Sequence, residues 1–273
     1  DAHPQNVGKI NVGFITARSI AGDIDANTMV VAGVSTFVGA SSFSGASTFS
    51  VDSTINGLTI GEGGNSVATN TVLGASAFAS NTTGTHNVAI GANALDANTT
   101  ATHNVAVGSR SLGANTTGSQ NIAAGFEALK VNTTGAQNTA VGHAALQANT
   151  TADNNTAMGY AALASNTTGA SNTAVGALAL DANTTGSDNS ALGYNALGSS
   201  TNGVSNTAVG TYALQSNTGG GNNTAVGRSA LQNSSTANHC TAIGKDALKV
   251  NTASYNTAIG VAALDSNTTG EKN

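Results

Sequence analysis

Apolar and polar residues recur along most of this chain with a 17-residue period. The segment 138–154, NTAVGHAALQANTTADN, is followed at once by NTAMGYAALASNTTGAS at 155–171. Every step between units is the same except the last, from Cys240 to Asn256, which is shorter by one position. A fixed period is typical of repeat architectures, in which each unit stacks on its neighbours. The twelve units begin at Asn70, Asn87, Asn104, Asn121, Asn138, Asn155, Asn172, Asn189, Asn206, Asn223, Cys240 and Asn256.

The consensus of a unit is N-T-A-V-G-x-x-A-L-x-x-N-T-T-G-x-x, and its positions are numbered 1 to 17 below. Position 5 is Gly in all twelve units, and position 9 is Leu in eleven, with Phe78 in the first. Each Gly would cost about 1 kcal/mol in a helix interior, and no uninterrupted run reaches the ~12 residues that an isolated helix needs. The pattern therefore predicts two short strands, NTAVG and AAL, separated by turns at Gly and at NTTG.

These elements predict an all-β fold, a parallel β-solenoid or β-roll with one 17-residue coil per repeat. Equivalent residues of successive coils would lie about 4.8 Å apart, so twelve coils would form a rod roughly 58 Å long. Asn at positions 1 and 12 is expected to form ladders of side-chain amides along the axis.

Apolar residues are adjacent within each predicted strand, as in Ala140 beside Val141 and Ala145 beside Leu146. Neighbouring residues of a strand point to opposite faces, so both faces should be apolar. One face would line a narrow interior, and the other, with the Val or the Leu, would form a stripe larger than a monomer usually exposes. We therefore expect self-association around a common axis. The alternative is a single wider coil that buries both faces itself.

The composition suits a thin core, because hydrophobic residues reach 39 % but aromatic residues only 4 %, and Gly is abundant at 34 residues. With 8 % charged residues and a net charge of −5, nothing indicates a nucleic-acid or anionic membrane partner. No apolar run approaches the ~18 residues that span a bilayer. The single Cys240 cannot form an intrachain disulfide.

The part of the chain before the first repeat, 1–69, follows a different pattern. Residues 35–50 read STFVGA, SSFSGA and STFS, which places Phe37, Phe43 and Phe49 in a regular hexad register. A hexad with one large apolar residue favours a triangular β-helix shaft, and so thin a sequence would need three intertwined chains. The following TINGLTIGEGG, at 54–64, carries the NG signal of a hairpin or corner.

Three regions are therefore predicted. They are an N-terminal connector at 1–34, a shaft-like hexad β segment at 35–69 and the twelve-repeat β-roll at 70–273. A flexible Ser/Gly linker is the alternative for the middle region.

Two histidines are the only candidates for a metal site. His86 and His103 occupy position 17 of adjacent units and should stack about 4.8 Å apart. With three chains, such a pair could indicate a metal cluster. The same position holds Gln120, Gln137, Asn154 and Asp188 in other units, a series typical of exposed turns. Surface histidines are therefore the favoured interpretation, and no metal is predicted.

Catalysis has no support in the sequence. Acidic residues are scattered singly at variable positions, such as Asp96, Asp181 and Asp265, and no Ser–His–Asp or Cys–His arrangement can be nominated. Cys240 takes the place of Asn in its ladder, and the Gly residues are dispersed, unlike those of a phosphate-binding loop. We expect no enzyme activity and no cofactor.

Eight NTT triplets match the N-glycosylation pattern, but turn chemistry already explains their regular placement. They begin at Asn81, Asn98, Asn115, Asn132, Asn149, Asn166, Asn183 and Asn267.

The pattern NTAVGxxAL…NTTG, as in NTAVGALALDANTTG at 172–186, resembles the YadA-like head repeats of trimeric autotransporter adhesins. It is also similar to repeats of bacteriophage tail fibres. The resemblance covers residues 70–273 and implies a left-handed parallel β-roll, three chains side by side and a role in surface attachment. Those head repeats are often a little shorter than the repeat of this chain. No ligand-binding residue is carried over, because the matching positions are structural.

The first hypothesis is a homotrimeric segment of a phage tail fibre on the virion, contributing reach, rigidity and host-surface attachment. Shaft-like hexads followed by stacked rolls favour it, and no heptads are visible. The expected partners are further copies of the chain, other fibre or tail proteins at the N-terminal end, and a glycan receptor on the host. The chain ends at Asn273, the first residue of a thirteenth unit, without an atypical capping unit. The receptor-binding region is therefore expected outside this chain.

Two other functions are considered. One is the head of a bacterial trimeric surface adhesin, located extracellularly or at the bacterial cell surface. The other is an ice-binding solenoid, because regular columns of Thr on a flat face can order water.

Overall fold

A computed structural model of the protein describes residues 53–55 and 58–273, and the fold there is all-β. The predicted connector at 1–34 and the hexads at 35–50 lie outside the described residues, so the shaft remains a prediction. A hairpin opens the described part: strand β1 (Ser53–Ile55) pairs antiparallel with β2 (Leu58–Gly61). This pairing confirms the hairpin signal at NG. A short 3-10 helix follows at Gly64–Ser66.

Each of the twelve coils contributes one short strand, at positions 2 to 4. Neighbouring coils pair in parallel with equivalent positions aligned, as in Ala140 opposite Ala157, and the last pair keeps this alignment across the shorter step, as in Ala242 opposite Ala258. The parallel β-solenoid with its 17-residue spacing is thus confirmed. The strands are β3 (Thr71–Leu73), β4 (Val88–Ile90), β5 (Val105–Val107), β6 (Ile122–Ala124), β7 (Thr139–Val141), β8 (Thr156–Met158), β9 (Thr173–Val175), β10 (Ser190–Leu192), β11 (Thr207–Val209), β12 (Thr224–Val226), β13 (Thr241–Ile243) and β15 (Thr257–Ile259).

The twelve parallel strands and the hairpin form one 14-stranded sheet, because β2 also pairs antiparallel with β3. A second sheet of two short parallel strands, β14 (Val250–Asn251) and β16 (Ser266–Asn267), lies in the last two coils.

The predicted second strand, AAL, is wrong. Positions 6 to 11 form consecutive turns, in which positions 7 and 9 have left-handed backbone, with φ of 56° at Ala144 and 50° at Leu146. The ladder between coils nevertheless continues: Leu146 N–H donates to Ala162 O at 3.0 Å. A left-handed residue other than Gly costs on the order of 1–3 kcal/mol. Burying the Leu side chain contributes about 1.5–3 kcal/mol in return.

Because of this turn geometry, the apolar side chains of the AAL segment do not lie on two opposite faces, as we expected from the sequence. In a strand, Ala145 and Leu146 would point to opposite faces, but both are fully buried. Only the strand obeys the alternation, with Ala140 buried between the half-buried Thr139 and Val141. The core is accordingly a column of Ala at positions 3 and 8 and Leu at position 9, with Val72 and Phe78 in the first coil and the buried Ser111 in the third.

Glycine at position 5 is required by the stacking. At Gly142 φ is +135°, and a Cβ there would lie 2.4 Å from the carbonyl oxygen of Gly159 in the next coil. Position 15 differs, although a Cβ at Gly135 would lie 2.5 Å from Ala152 O, because its backbone is not left-handed. Ala101, Ala152 and Ala237 occupy position 15 of their units, and Ala253 takes the same place in the unit that is one residue shorter, since its carbonyl accepts from Asn251.

We expect Gly142→Ala to destabilise the solenoid by about 3 kcal/mol or more, through left-handed strain and contact with the next coil. The measurement is the melting temperature, followed by circular dichroism. Gly135→Ala is the matched control and should lower the melting temperature less, because its backbone is not left-handed and other coils carry Ala in the same place. Equal losses in both variants would contradict the distinction between positions 5 and 15.

Candidate functional site

Two ladders of Asn side chains run through the interior of the coils, as predicted. At position 1, Asn138 N–H donates to Asn121 Oδ1 at 2.9 Å, and Asn138 Nδ2 donates to Ala152 O at 2.8 Å. At position 12, Asn149 Nδ2 donates to Asn132 Oδ1 at 2.8 Å. These amides satisfy backbone groups that the turns leave unpaired inside the coil, so the ladders are structural.

The position-12 ladder is interrupted by serine in two coils. Ser200 and Ser234 replace Asn there, and their buried hydroxyl oxygens have no hydrogen-bond partner among the described residues. The Oδ1 of Asn183, in the coil before Ser200, is also buried without a partner in the described part of the chain. A serine hydroxyl is too short to continue the ladder, and each unpaired buried group costs free energy.

The residues of the NTT triplets belong to the same interior. All their Asn side chains except that of Asn267 are buried. The Thr at position 13 bonds along the axis, as in Thr133 Oγ1 donating to Thr150 O at 3.0 Å. The turn interpretation of these triplets is therefore confirmed.

The histidines at position 17 stack as expected. The ring centroids of His86 and His103 are 5.0 Å apart with an interplanar angle of 3°, and both side chains are exposed. Within residues 53–55 and 58–273, no group of three His, Cys, Asp or Glu side chains could hold a metal ion. His239 and Tyr255 form the same kind of stack further along, at 4.9 Å.

Cys240 occupies position 1 and is fully buried. Its backbone N–H donates to Asn223 Oδ1 at 2.9 Å, like that of the Asn residues it replaces. The thiol lies against Ala253 O at 3.4 Å, so Cys240 is part of the ladder, as predicted.

The outer face of the parallel sheet carries a continuous apolar surface, which we call the outer stripe. It consists of the position-4 side chains, which all remain at least partly exposed in the single chain, for example Met158 at 44 % and Leu192 at 51 %. Aromatic rings extend it at position 6, where Phe126, His143 and Tyr160 stack 5.3 and 5.4 Å apart. The outer stripe consists of Leu73, Ile90, Val107, Ala124, Val141, Met158, Val175, Leu192, Val209, Val226, Ile243 and Ile259.

Charged side chains gather at positions 7 and 10, outside the sheet. Glu127 accepts hydrogen bonds from Lys130 Nζ at 2.8 Å and from Arg110 Nη1 at 3.2 Å, both at Oε1. Gln147 Nε2 donates to its other oxygen at 2.6 Å. Lys130 in particular, then Arg110 and Gln147, lower the pKa of Glu127. This cluster has no local signal in the sequence, because its members come from three successive coils and are far apart along the chain.

A second ionic cluster lies near the end of the solenoid. Asp246 pairs with Lys245 at 3.3 Å and with Lys249 at 3.4 Å. Burial acts to raise the pKa of Asp246, but hydrogen bonds from these two lysines outweigh it and lower the pKa.

Asp96 and Asp181, which the sequence analysis set aside, occupy position 10 and are half-buried. Burial raises the pKa of both carboxyl groups above the usual range, against hydrogen bonds from their own backbone and the following residue.

Comparison with protein-family models, with curated proteins and with solved structures finds no match to this chain. No helix in the described part of the chain is both long and apolar enough to cross a membrane.

Restoring the interrupted ladder should stabilise the protein. We expect Ser200→Asn to raise the free energy of unfolding by about 1 kcal/mol, because its Nδ2 can donate to Asn183 Oδ1. Chemical denaturation measures the change. The neighbouring Ser199 is exposed, so Ser199→Asn is the control and should have no effect. A loss of stability in the Ser200 variant would show that the coil has closed around the serine.

The half-buried carboxylates of Asp96 and Asp181 should make the stability of the fold depend on pH. Because the pKa of Asp181 is raised in the folded chain, ionisation lowers stability at pH values above both the folded and unfolded pKa values. Below the ordinary Asp pKa of about 3.9, both states are protonated and the effect vanishes. Asp181→Asn should therefore raise the melting temperature at pH 7 and leave it unchanged at pH 3. The exposed Asp188→Asn is the control, and an equal rise at both pH values would refute the electrostatic cause.

Proposed function

We propose that this protein is a structural and adhesive fibre, a homotrimeric segment of a phage tail fibre in the virion. The observation that carries this proposal is the outer stripe, an apolar surface along all twelve coils that the described residues of the single chain leave at least partly exposed. Soluble monomers rarely expose an apolar patch of more than a few hundred square ångströms. A partner that covers the stripe must present a complementary apolar surface of the same length.

A second copy of the same chain meets that requirement. Equivalent side chains lie at one height per coil, so copies related by rotation about an axis parallel to the solenoid bring their stripes together in register. Closed rotational symmetry of this kind is the common form of self-association. Three copies are proposed, following the resemblance of the NTAVG and NTTG pattern to trimeric fibre repeats.

The interior supports a mechanical role. Backbone ladders and Asn amides join each coil to the next, as in Asn138 to Asn121 and Asn149 to Asn132. Such a stack resists bending and gains stability with each added coil. In a fibre it would supply reach and rigidity, with other fibre or tail proteins at the N-terminal end and a host glycan as receptor.

Ice binding has less support. It needs columns of free Thr hydroxyls on a flat face, but the position-13 hydroxyls donate to the next coil, as in Thr116 to Thr133 O at 3.0 Å and Thr167 to Thr184 O at 2.9 Å. The exposed Thr residues of position 14, such as Thr168, lie in bends of the chain and not in the sheet. The head of a bacterial trimeric adhesin is the remaining alternative, since it uses the same stripe. A heptad stalk or membrane-anchoring barrel in the full-length protein would favour the adhesin over the tail fibre.

Light scattering on the purified chain tests the association. We expect a mass three times the 26.4 kDa of the chain. Met158→Glu combined with Leu192→Glu should shift the mass toward 26.4 kDa, because charges would enter the stripe interface.

Thr168→Glu is the matched control, on an exposed turn away from the stripe, and should leave the trimer intact. A wild-type chain that stays at 26.4 kDa would refute the homotrimer.

A further inference from the structure

We propose that a groove on the side of the second to fourth coils, at Asp96, Gly113 and Lys130, binds a neutral saccharide. This inference rests on the proposed function of a fibre and specifies the class of ligand that the fibre binds. It places a sugar-binding site on the side of the solenoid, whereas the sequence led us to expect receptor binding outside this chain.

The groove has a volume of about 340 Å³ and follows positions 7, 10 and 11 of three successive coils. Small-molecule sites span roughly 300–1,000 Å³, so this groove suits a mono- or disaccharide. Its polar lining comes from Asn93, Asp96, Arg110 and Lys130. The lining does not include the outer stripe, so a trimer formed through the stripe can keep the groove open.

The missing side chain of Gly113 opens the groove. A Cβ there would lie 3.4 Å from Asp96 Oδ1 and 3.3 Å from Arg110 O, which is ordinary or slightly tight contact, and its backbone is not left-handed. Nothing in the backbone therefore requires glycine at this position. Other coils carry Lys130, Gln147, Gln215 or Gln232 at position 10.

The Arg110 side chain is drawn away from Gly113. Its Nη1 pairs with Glu127 in the next coil, at 3.2 Å. Lys130 donates to the same carboxylate oxygen from the other side, at 2.8 Å. The two ion pairs hold both cationic side chains at the edge of the groove and leave the space above Gly113 empty of protein atoms.

The same Asp–Gly pair occurs five coils later, but there the space beside the Gly is filled. Asp181 is followed one coil on by Gly198, as Asp96 is by Gly113. There the side-chain oxygen of Asn195 lies where a Cβ of Gly198 would be, and Gly198 is buried. Asn195 carries no charge, so it cannot form an ion pair with the next coil as Arg110 does with Glu127. The Asp–Gly pattern alone therefore does not make a groove, and the two coils differ in the residue at position 7, Arg110 in one and Asn195 in the other.

The charged groups in and beside the groove determine which class of ligand fits it. Two carboxylates, Asp96 and Glu127, balance two cations, Arg110 and Lys130. A phosphate would meet the Asp96 carboxylate, and a metal ion would meet the two cations. A neutral molecule with several hydroxyl groups can donate to Asp96 and accept from Lys130 at the same time.

Two further features favour a sugar. Burial raises the pKa of Asp96, which means that its carboxylate lacks solvation that ligand hydroxyls can supply. The remaining lining, Ala114 and Val131, offers an apolar surface to the C–H groups of a sugar ring. Such alternation of apolar and polar contacts matches the two kinds of surface on a pyranose.

Saturation-transfer NMR on the full chain tests the site, with methyl glucoside, methyl galactoside, N-acetylglucosamine, lactose and maltose as probes at millimolar concentration. We expect signal from at least one probe. Gly113→Gln, which places in the groove a residue that other coils carry at position 10, should weaken its binding by about tenfold or more, since hydrogen bonds to charged groups are lost. Ala164→Gln introduces the same side chain at position 10 of another coil and should leave binding unchanged.

A second pair of variants tests the carboxylate. Asp96→Asn should weaken binding, whereas Asp181→Asn, at the closed position, should not. The absence of signal from every probe would overturn the proposal, and so would equal binding by wild type and Gly113→Gln, or binding of inorganic phosphate or Ca²⁺ in place of the sugars. Light scattering separates the two proposals: a trimer without sugar binding refutes only the groove, and a sugar-binding monomer refutes only the fibre.

Discussion

The stacking of one coil directly on the next constrains every other feature of this protein. Backbone N–H groups reach carbonyl oxygens of a neighbouring coil all around the turn, as at Thr139 to Asn155 and Leu146 to Ala162. Coils at this spacing leave no room for a side chain that points along the axis. Position 5 therefore stays Gly in all twelve units, since a Cβ at Gly142 would meet the backbone of Gly159.

The same constraint explains a core that is both apolar and amide-rich. So short a coil is too narrow for wide hydrophobic layers, and Ala with one Leu per coil fills it. The turns also leave carbonyl groups pointing inward, and buried polar groups must be paired. Asn at positions 1 and 12 pairs them, as Asn138 and Asn149 both do at Ala152 O. Because most of these amides also contact the Asn of the preceding coil, as Asn149 does Asn132, the ladder joins the coils as well as closing each one.

Because packing and hydrogen bonding fix the residues of the interior, the residue types vary mainly at the outer positions of the repeat. The sheet face carries the outer stripe, while positions 7 and 10 carry the ion pairs of Glu127 and Asp246. These surfaces arise from different positions of one repeat, so each can vary without disturbing the other. The proposed self-association uses the outer stripe, and the proposed sugar site uses positions 7, 10 and 11.

The period, the parallel strands, the hairpin and the Asn ladders followed from the sequence by itself, because identical positions must stack when a short repeat closes into a coil. Two features were decided only in the tertiary structure. The AAL segment forms left-handed turns that bury Ala145 and Leu146 together, a backbone geometry that strand periodicity cannot anticipate. The groove at Gly113 likewise does not follow from the Asp–Gly pair, because the side chain of Asn195 fills the same space at Gly198, whereas Arg110 pairs with Glu127 in the next coil. Local pattern determines which residues stack, whereas contacts between coils determine where a side chain finally lies.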